Sequence, residues 1–503
     1  MTKGIGLVLA ALVAGCAAPG VGEPPRWSPA PESALPYASP LPPPGAAGLD
    51  DTAGGGAVLD DLDGDGLLDL FVTAPHGPNA LFLGQGDGTF AEHPDSGLED
   101  GDRATTAVAV DLNDDRYPEI LLGDRGKLRL FRNVSGGTWL EWGDVLVLGQ
   151  DDAITGVSAA DANGDGFVDL YVSVYTSMRP GDAPATAEDH LLLGRGDLTF
   201  EDVSERLTPA TARQGMTFAA TWLDADGDGD LDIYVVRDKG AVLGPNALFL
   251  QEDGVWTDAA AAWDLDLRIE GMGVTASDLD HDGALELAVS DVEGRLHIHT
   301  LSDGGIDRSL EWDMRPEWPE FTDSWGLVFA DLDSDGHDDL LVPHGRIEAG
   351  EAGGDQETAL LLWREDGFVD ATGLMPPNPG GFWRTVLPGD LDGDGCLDFV
   401  QTQAFGAPAV YLGSAPSGGW LEVELDGPAG NRAGLGATVT VETDASSQSK
   451  LITAGASIHS STEPVARFGL GAEMQVDVQV RWPDGSVTES TAVASGQRVL
   501  IAR

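Results

Sequence analysis

An acidic nine-residue pattern, Asp-x-Asp/Asn-x-Asp-Gly-x-x-Asp/Glu, occurs seven times in this chain and constrains its fold more than any other feature. The copies begin at Asp61, Asp111, Asp161, Asp224, Asp278, Asp331 and Asp390, at spacings of 50 to 63 residues. A unit of that length cannot bury its own apolar face and must stack on its neighbours. Short apolar runs flank each copy: Ala57-Val58-Leu59 and Leu70-Phe71-Val72 around the first, Val108-Ala109-Val110 and Ile120-Leu121-Leu122 around the second. The pattern therefore reads as strand, acidic loop, strand.

Alternating hard carboxylate oxygens point to calcium, which takes six to eight oxygen ligands in an adaptable shell. The candidate side-chain ligands stand at loop positions 1, 3, 5 and 9. They are Asp61, Asp63, Asp65 and Asp69; Asp111, Asn113, Asp115 and Glu119; Asp161, Asn163, Asp165 and Asp169; and Asp224, Asp226, Asp228 and Asp232. The last three loops add Asp278, Asp280, Asp282 and Glu286; Asp331, Asp333, Asp335 and Asp339; and Asp390, Asp392, Asp394 and Asp398. Position 6 must turn sharply, which suits glycine, but the second loop has Arg116 there and Glu119 at position 9. That site is expected to be the weakest of the seven. An EF-hand is excluded, because position 12 is Val72, Leu122, Val172, Val235, Val289, Val342 or Gln401 and never an acid. Carboxylates held this close repel one another unless a cation lies between them.

Each repeat carries four strand signals. In the fourth these are Thr217 to Leu223, Leu231 to Val235, Ala247 to Leu250 and a final strand marked by Trp256. Four antiparallel strands repeated seven times predict an all-β chain with a seven-bladed β-propeller. The seventh repeat lacks its fourth strand, so a segment around Tyr37 to Gly48 is expected to close the ring, with Trp420 to Val423 as the competing donor. Beyond Trp420 the loops stop and alternating runs such as Val476 to Trp482 predict a small C-terminal β-sandwich or barrel. The domain reading is 1–15 signal peptide, 16–48 Pro-rich tether, 49–413 propeller and 420–503 terminal β-domain.

Lys3, the apolar stretch Ile5 to Val13, and Val13-Ala14-Gly15-Cys16 resemble a bacterial lipobox. They predict cleavage before Cys16, lipid on its sulfur and export to the cell envelope, the outer membrane in a Gram-negative cell. Cys396 would then be a free thiol without a disulfide partner. Ten prolines in 17–48 make a semi-rigid spacer. The formal charge of −58 excludes nucleic acid as a partner. It also leaves the lipid as the only membrane contact.

The loops with their flanking strands resemble FG-GAP/VCBS repeats. Asn431-Arg432-Ala433-Gly434-Leu435-Gly436-Ala437, Phe468-Gly469-Leu470-Gly471 and Trp482-Pro483-Asp484-Gly485 look like an ASPIC/UnbV domain. Together they resemble the cartilage acidic protein family. The resemblance implies an extracellular calcium-binding propeller without established catalysis. The family commonly has a Gln shortly before Phe468, where this chain has Ser460, Ser461 or Thr462.

For ligand binding, the connectors opposite the acidic loops carry Arg103, Arg213, Arg268, Arg315 and Arg384, with Trp312, Trp318 and Trp383 nearby and Arg179, Arg237, Lys239 and Arg346 on adjoining loops. A basic, aromatic rim of this kind suits an anionic glycan. The blander reading is that these cations neutralise neighbouring acids. Arg195-Gly196-Asp197 reads as a hairpin turn, His297 and His299 as packed strand residues, and His281 and His337 as solvent-facing loop residues. The expected function is cell-surface calcium-dependent interaction with an extracellular protein or glycan. The alternative is a carbohydrate-active enzyme such as a polysaccharide lyase, for which the sequence offers arginines and Tyr175 but no defined acid–base pair.

Overall fold

The computed structural model describes residues 9–12, 26–30, 35, 55–99, 104–176, 185–302, 304–313, 323–345, 356–364, 367–376, 381–404, 406–414, 418–443, 446–455 and 458–503. Seven sheets each contain four consecutive antiparallel strands, here A to D, of one repeat or its equivalent. The A strands are Ala57–Asp60, Thr106–Val110, Asp152–Ala160, Thr217–Leu223, Gly271–Ser277, Val328–Ala330 and Trp383–Gly389. Each touches the A strand of the next sheet, and the seventh touches the first, so the sheets form a closed ring of blades. Most A-strand residues are buried, because each strand is walled in by the two neighbouring blades. That explains their runs of small and apolar residues, such as Thr106-Ala107-Val108-Ala109-Val110, where a one-sided strand would alternate.

The apolar core is divided among the seams between blades. Between the third and fourth blades it is Tyr171, Leu191, Trp222, Ile233, Phe249 and Trp256. Between the seventh and the first it is Leu387, Leu391, Val400 and Val410 against Leu59, Leu70 and Phe82. Closure of the ring thus rests on the same side-chain interlock as every other seam.

The closing strand does come from the N-terminal side, but from a different place than expected. Arg26–Pro29 pairs antiparallel with strand C of the seventh blade, Ala409–Ser414, with Trp27 opposite Gly413. Trp27 anchors it, packing 6.3 Å from the Phe399 ring in the seam with the sixth blade. The segment 37–48 lies outside the described residues. Trp420 belongs instead to the terminal domain, in strand Gly419–Asp426.

That domain is a sandwich of two sheets. One orders Ser447–Leu451, Thr438–Glu442, Gln475–Arg481 and Val487–Ala494; the other Gln497–Ala502, Gly419–Asp426 and Ala466–Gly471. Leu9–Leu12, inside the segment read as a signal peptide, adds an outer strand along Gln497–Leu500. Removal of residues 1–15 would leave this sheet with three strands. Cys16 lies outside the described residues. Cys396 is not a free thiol in this structure: it is buried and disulfide-bonded.

The candidate metal loops and the capped channel

All seven acidic loops join strands A and B, which places them on one face of the ring. Their turns are built by the carboxylates themselves. The first-position carboxylate accepts the sixth-position amide, as in Gly66 N to Asp61 Oδ2 at 2.9 Å and Gly395 N to Asp390 Oδ2 at 2.8 Å. Third-position oxygens accept the fifth amide and fifth-position oxygens the seventh.

The ninth-position acid has a second role that spacing alone did not reveal. One of its oxygens accepts the second-position amide, from Leu62 to Asp69, Ala162 to Asp169, Ala225 to Asp232, Leu332 to Asp339 and Leu391 to Asp398. In these blades the other oxygen accepts an amide of strand C: Gly84, Gly194, Gln251, Trp363 or Gly413. This buried carboxylate therefore fastens the loop to a third strand of its own blade.

Ligand atoms of Asp61, Asp63 and Asp69 lie within 4.8 Å of one another, as do those of Asp224, Asp226 and Asp232, of Asp278, Asp280 and Asp282, of Asp331, Asp333 and Asp339, and of Asp390, Asp392 and Asp398. The third loop brings Asp161, Asn163, Asp165 and Asp169 into the same turn. Burial, reinforced by neighbouring carboxylates, pushes Asp69, Asp161, Asp232 and Asp390 up to about 7 and Asp398 to about 8. Glu286 rises to about 7 for the same reasons, and Asp278 to about 6. Buried oxygens Asp161 Oδ1 and Asp224 Oδ1 have no hydrogen-bond partner. Such orphaned acceptors are costly unless a cation meets them, so the donor set suits a divalent ion.

The second loop is used differently. Asn113 Nδ2 donates to Glu119 Oε1 at 2.5 Å, and Arg116 occupies position 6 at φ +71°. Asp114 accepts the Gly430 amide with both oxygens at 2.8 Å, while Arg116 lies 3.5 Å from Asp426. This loop docks the terminal domain.

Docking by the acidic loops is general, and it accounts for the three glycine-bearing motifs. Within 431–437, Asn431 closes its own turn onto Leu435, whose carbonyl accepts the Asp161 amide at 3.1 Å. A Cβ on Gly164 would sit 2.9 Å from the Pro483 carbonyl, and one on Gly469 would collide with Asp331. Arg481 reaches Asp224 at 3.2 Å, and Lys450 reaches Asp338 at 2.6 Å. The sandwich therefore caps the loop face of the ring.

From the cap a segment enters the channel. Ala454 bridges to Ala159, Ser460 Oγ accepts the Ala57 amide at 3.2 Å, and Ser461–Thr462 adds parallel to the first A strand. Ile458 is fully buried among Tyr175, Met216, Phe218, Met272 and Trp325, and His459, also fully buried, lies 6.3 Å from the Phe218 ring. Burial pushes the His459 imidazole down to about 3, so it is neutral. Glu463 anchors the base of this plug between Arg467 and Arg498, the latter at 2.9 Å. A cavity of about 380 Å³ remains beneath the cap, bordered by Trp222, Phe329, Lys450 and Ile452.

Among the described residues the expected basic rim does not assemble. Arg384 is fully buried, its guanidinium 3.8 Å above the Trp325 ring, and Trp383 is buried beside it. Arg213 pairs with Glu188 at 2.5 Å, Arg268 lies 3.9 Å from Asp266, and Lys239 bridges Asp238 and Glu270. Arg237 is buried 3.8 Å from Asp189. Arg103, Arg179, Arg315, Trp318 and Arg346 lie outside the described residues. Tyr175, the phenol considered for a lyase, is buried and donates to Asp238 at 2.9 Å. Arg195-Gly196-Asp197 forms the C-to-D turn of the third blade. His297 and His299 are buried on strand C of the fifth blade, whereas His281 and His337 stack on each other at 4.4 Å between loops instead of facing solvent.

Comparison with known proteins fits this architecture. The FG-GAP-like repeat pattern matches residues 61–122, 111–172 and 224–289, and the ASPIC and UnbV pattern matches 427–503. The chain thus contains FG-GAP-like repeats and an ASPIC and UnbV domain. It is homologous to cartilage acidic protein 1: the human protein is 26% identical over 490 residues, covering 88% of this chain and 70% of the relative, and the mouse protein 26% over 488 residues, covering 88% and 72%. A crystal structure of BBS1N in complex with ARL6DN aligns with a TM-score of 0.44 at 15% identity, over 77% of this chain and 96% of that one.

Proposed function

We propose that this chain is a non-catalytic, calcium-braced scaffold that binds an extracellular protein or glycan through the outer surface of its ring. The observation that carries this reading is the plugged axis. Small-substrate sites are concave and open to entry, and here, apart from the cavity under the cap, the channel is filled by Ile458, His459 and the strand at Ser461–Thr462. Calcium in the acidic loops would neutralise the buried carboxylates, and those same loops hold the cap.

The same proposal places the protein at the cell envelope, held by lipid on Cys16. With two cysteines in the chain, that lipid and a disulfide at Cys396 exclude each other, so the anchored form carries Cys396 as a thiol. Affinity capture from envelope extracts, with calcium and with EDTA, tests the scaffold reading. It predicts a partner retained only with calcium. Turnover of a uronic-acid polymer by the purified chain, abolished by Tyr175→Phe, would replace this reading with the lyase.

A further inference from the structure

The sixth loop holds a cation of its own. Arg364 ends strand C of that blade (Ala359–Arg364) and turns into the loop. Its Nη2 donates to Asp333, its Nη1 donates to Asp335 at 2.9 Å, and Nη1 lies 3.9 Å from Asp339. Three of the four ligand-position carboxylates thus face one guanidinium, whose fixed fork of N–H donors suits clustered carboxylates. Asp333 is 5% exposed, so its charge has little water to offset it.

Strand register explains why this arginine turns inward. The equivalent residue of the third blade, directly after the amide bound by the ninth-position acid, is Arg195. Arg195 pairs across the hairpin with Glu201 at 2.8 Å, because strand D places Glu201 opposite Leu193. In the sixth blade the matching position opposite Leu362 is Val369. Among the described residues the cross-strand position holds no acid, and Arg364 pairs with the loop carboxylates instead. The first, fourth and seventh blades have Gln85, Glu252 and Ser414 at this position, none of them cationic.

We propose that Arg364 is the built-in counter-ion of the sixth site, bracing that loop without metal. In the second loop Asn113 Nδ2 holds Glu119 and Arg116 stands at position 6, so five of the seven loops remain for calcium: those of blades one, three, four, five and seven. A tethered cation cannot be diluted away, so the sixth blade stays braced at calcium concentrations that empty the others. This inference rests on the calcium reading above.

The test is calcium stoichiometry of the full chain by equilibrium dialysis with elemental analysis. The expected counts are five for the unmodified protein, six for Arg364→Gln, and an unchanged five for Asp333→Asn. An equal count for Arg364→Gln and the unmodified protein, or loss of one calcium in Asp333→Asn, would overturn the proposal. If Arg364→Gln fails to fold, the Asp333→Asn count decides alone. A folded unmodified protein that binds no calcium would instead refute the underlying calcium reading.

Discussion

Replacing Asp398 with Asn should change stability in opposite directions with and without calcium. Its carboxyl is buried, accepts the Leu391 amide at 2.8 Å and the Gly413 amide at 2.7 Å, and is raised by burial to about 8. In the unfolded chain it ionises near the ordinary value of 3.8. Metal-free folding at pH 7 therefore takes up a proton across about three pH units, at about 1.4 kcal/mol each, an opposing term of about 4 kcal/mol. Asparagine carries no such term. It keeps one acceptor but turns an NH₂ toward the other amide, which costs about 1–3 kcal/mol. The net expectation in EDTA at pH 7 is a gain of about 1–3 kcal/mol. The sign follows from the raised value: the carboxyl favours the folded state at low pH, and that support is lost as pH rises from about 4 to about 8. The benefit of Asn should grow over the same window and disappear below it. In saturating calcium the variant loses an anionic ligand and should be less stable than the parent. Urea denaturation of both proteins from pH 5 to 8, with calcium and with EDTA, reads these signs directly. Destabilisation of equal size in both media would refute the argument, because position nine would then act only as a hydrogen-bond acceptor.

Three further outcomes are expected. Glu463→Ala removes the buried carboxylate shared by Arg467 and Arg498 at the base of the plug, leaving them Glu422 and Glu424, and should destabilise the protein by about 1–3 kcal/mol; a urea midpoint within error of the parent would contradict that role. Calcium withdrawal should loosen the cap, so that amides of 454–463 exchange hydrogen faster in EDTA while the strand Thr217–Leu223, inside the ring, stays protected. Uniform acceleration along the chain would show instead that ring and cap unfold together. Alkylation under denaturing, non-reducing conditions should label Cys396 in membrane-extracted protein carrying lipid at Cys16, and should fail in a variant that keeps Cys16 but is exported unlipidated with Val13 to Gly15 replaced, where the disulfide forms; labelling in both preparations would refute the disulfide.

Much of the ring was legible because its signals are local. The fourth repeat was read as starting at Thr217 and continuing through Leu231 to Val235 and Ala247 to Leu250, and the strands lie at Thr217–Leu223, Asp232–Arg237 and Ala247–Glu252. What sequence could not convey is contact between distant segments. Ser460 to Glu463 has no apolar period, and its place in the channel depends on amides about 400 residues away. Gly436 and Gly469 stand out in the sequence only as parts of motifs, yet they lie against Asp161 and Asp331, where a side chain would not fit. Arg384 failed as a rim residue because the aromatic face of Trp325 and backbone carbonyls satisfy a buried guanidinium. Closure by an N-terminal strand was inferred from a missing fourth strand. Its position was missed because Arg26-Trp27-Ser28-Pro29 lies inside a proline-rich stretch that masks its strand character.

Closure by Arg26–Pro29 also has a mechanical consequence. In a chain trimmed before Cys16, any force applied at the N-terminal end reaches this strand before it reaches any other part of the described structure. Four residues and the wedged indole of Trp27 then bear the load, pulling along the outer edge of the last blade. A protein tethered at that end would yield there first, shedding one strand while the inner circle of A strands stays intact.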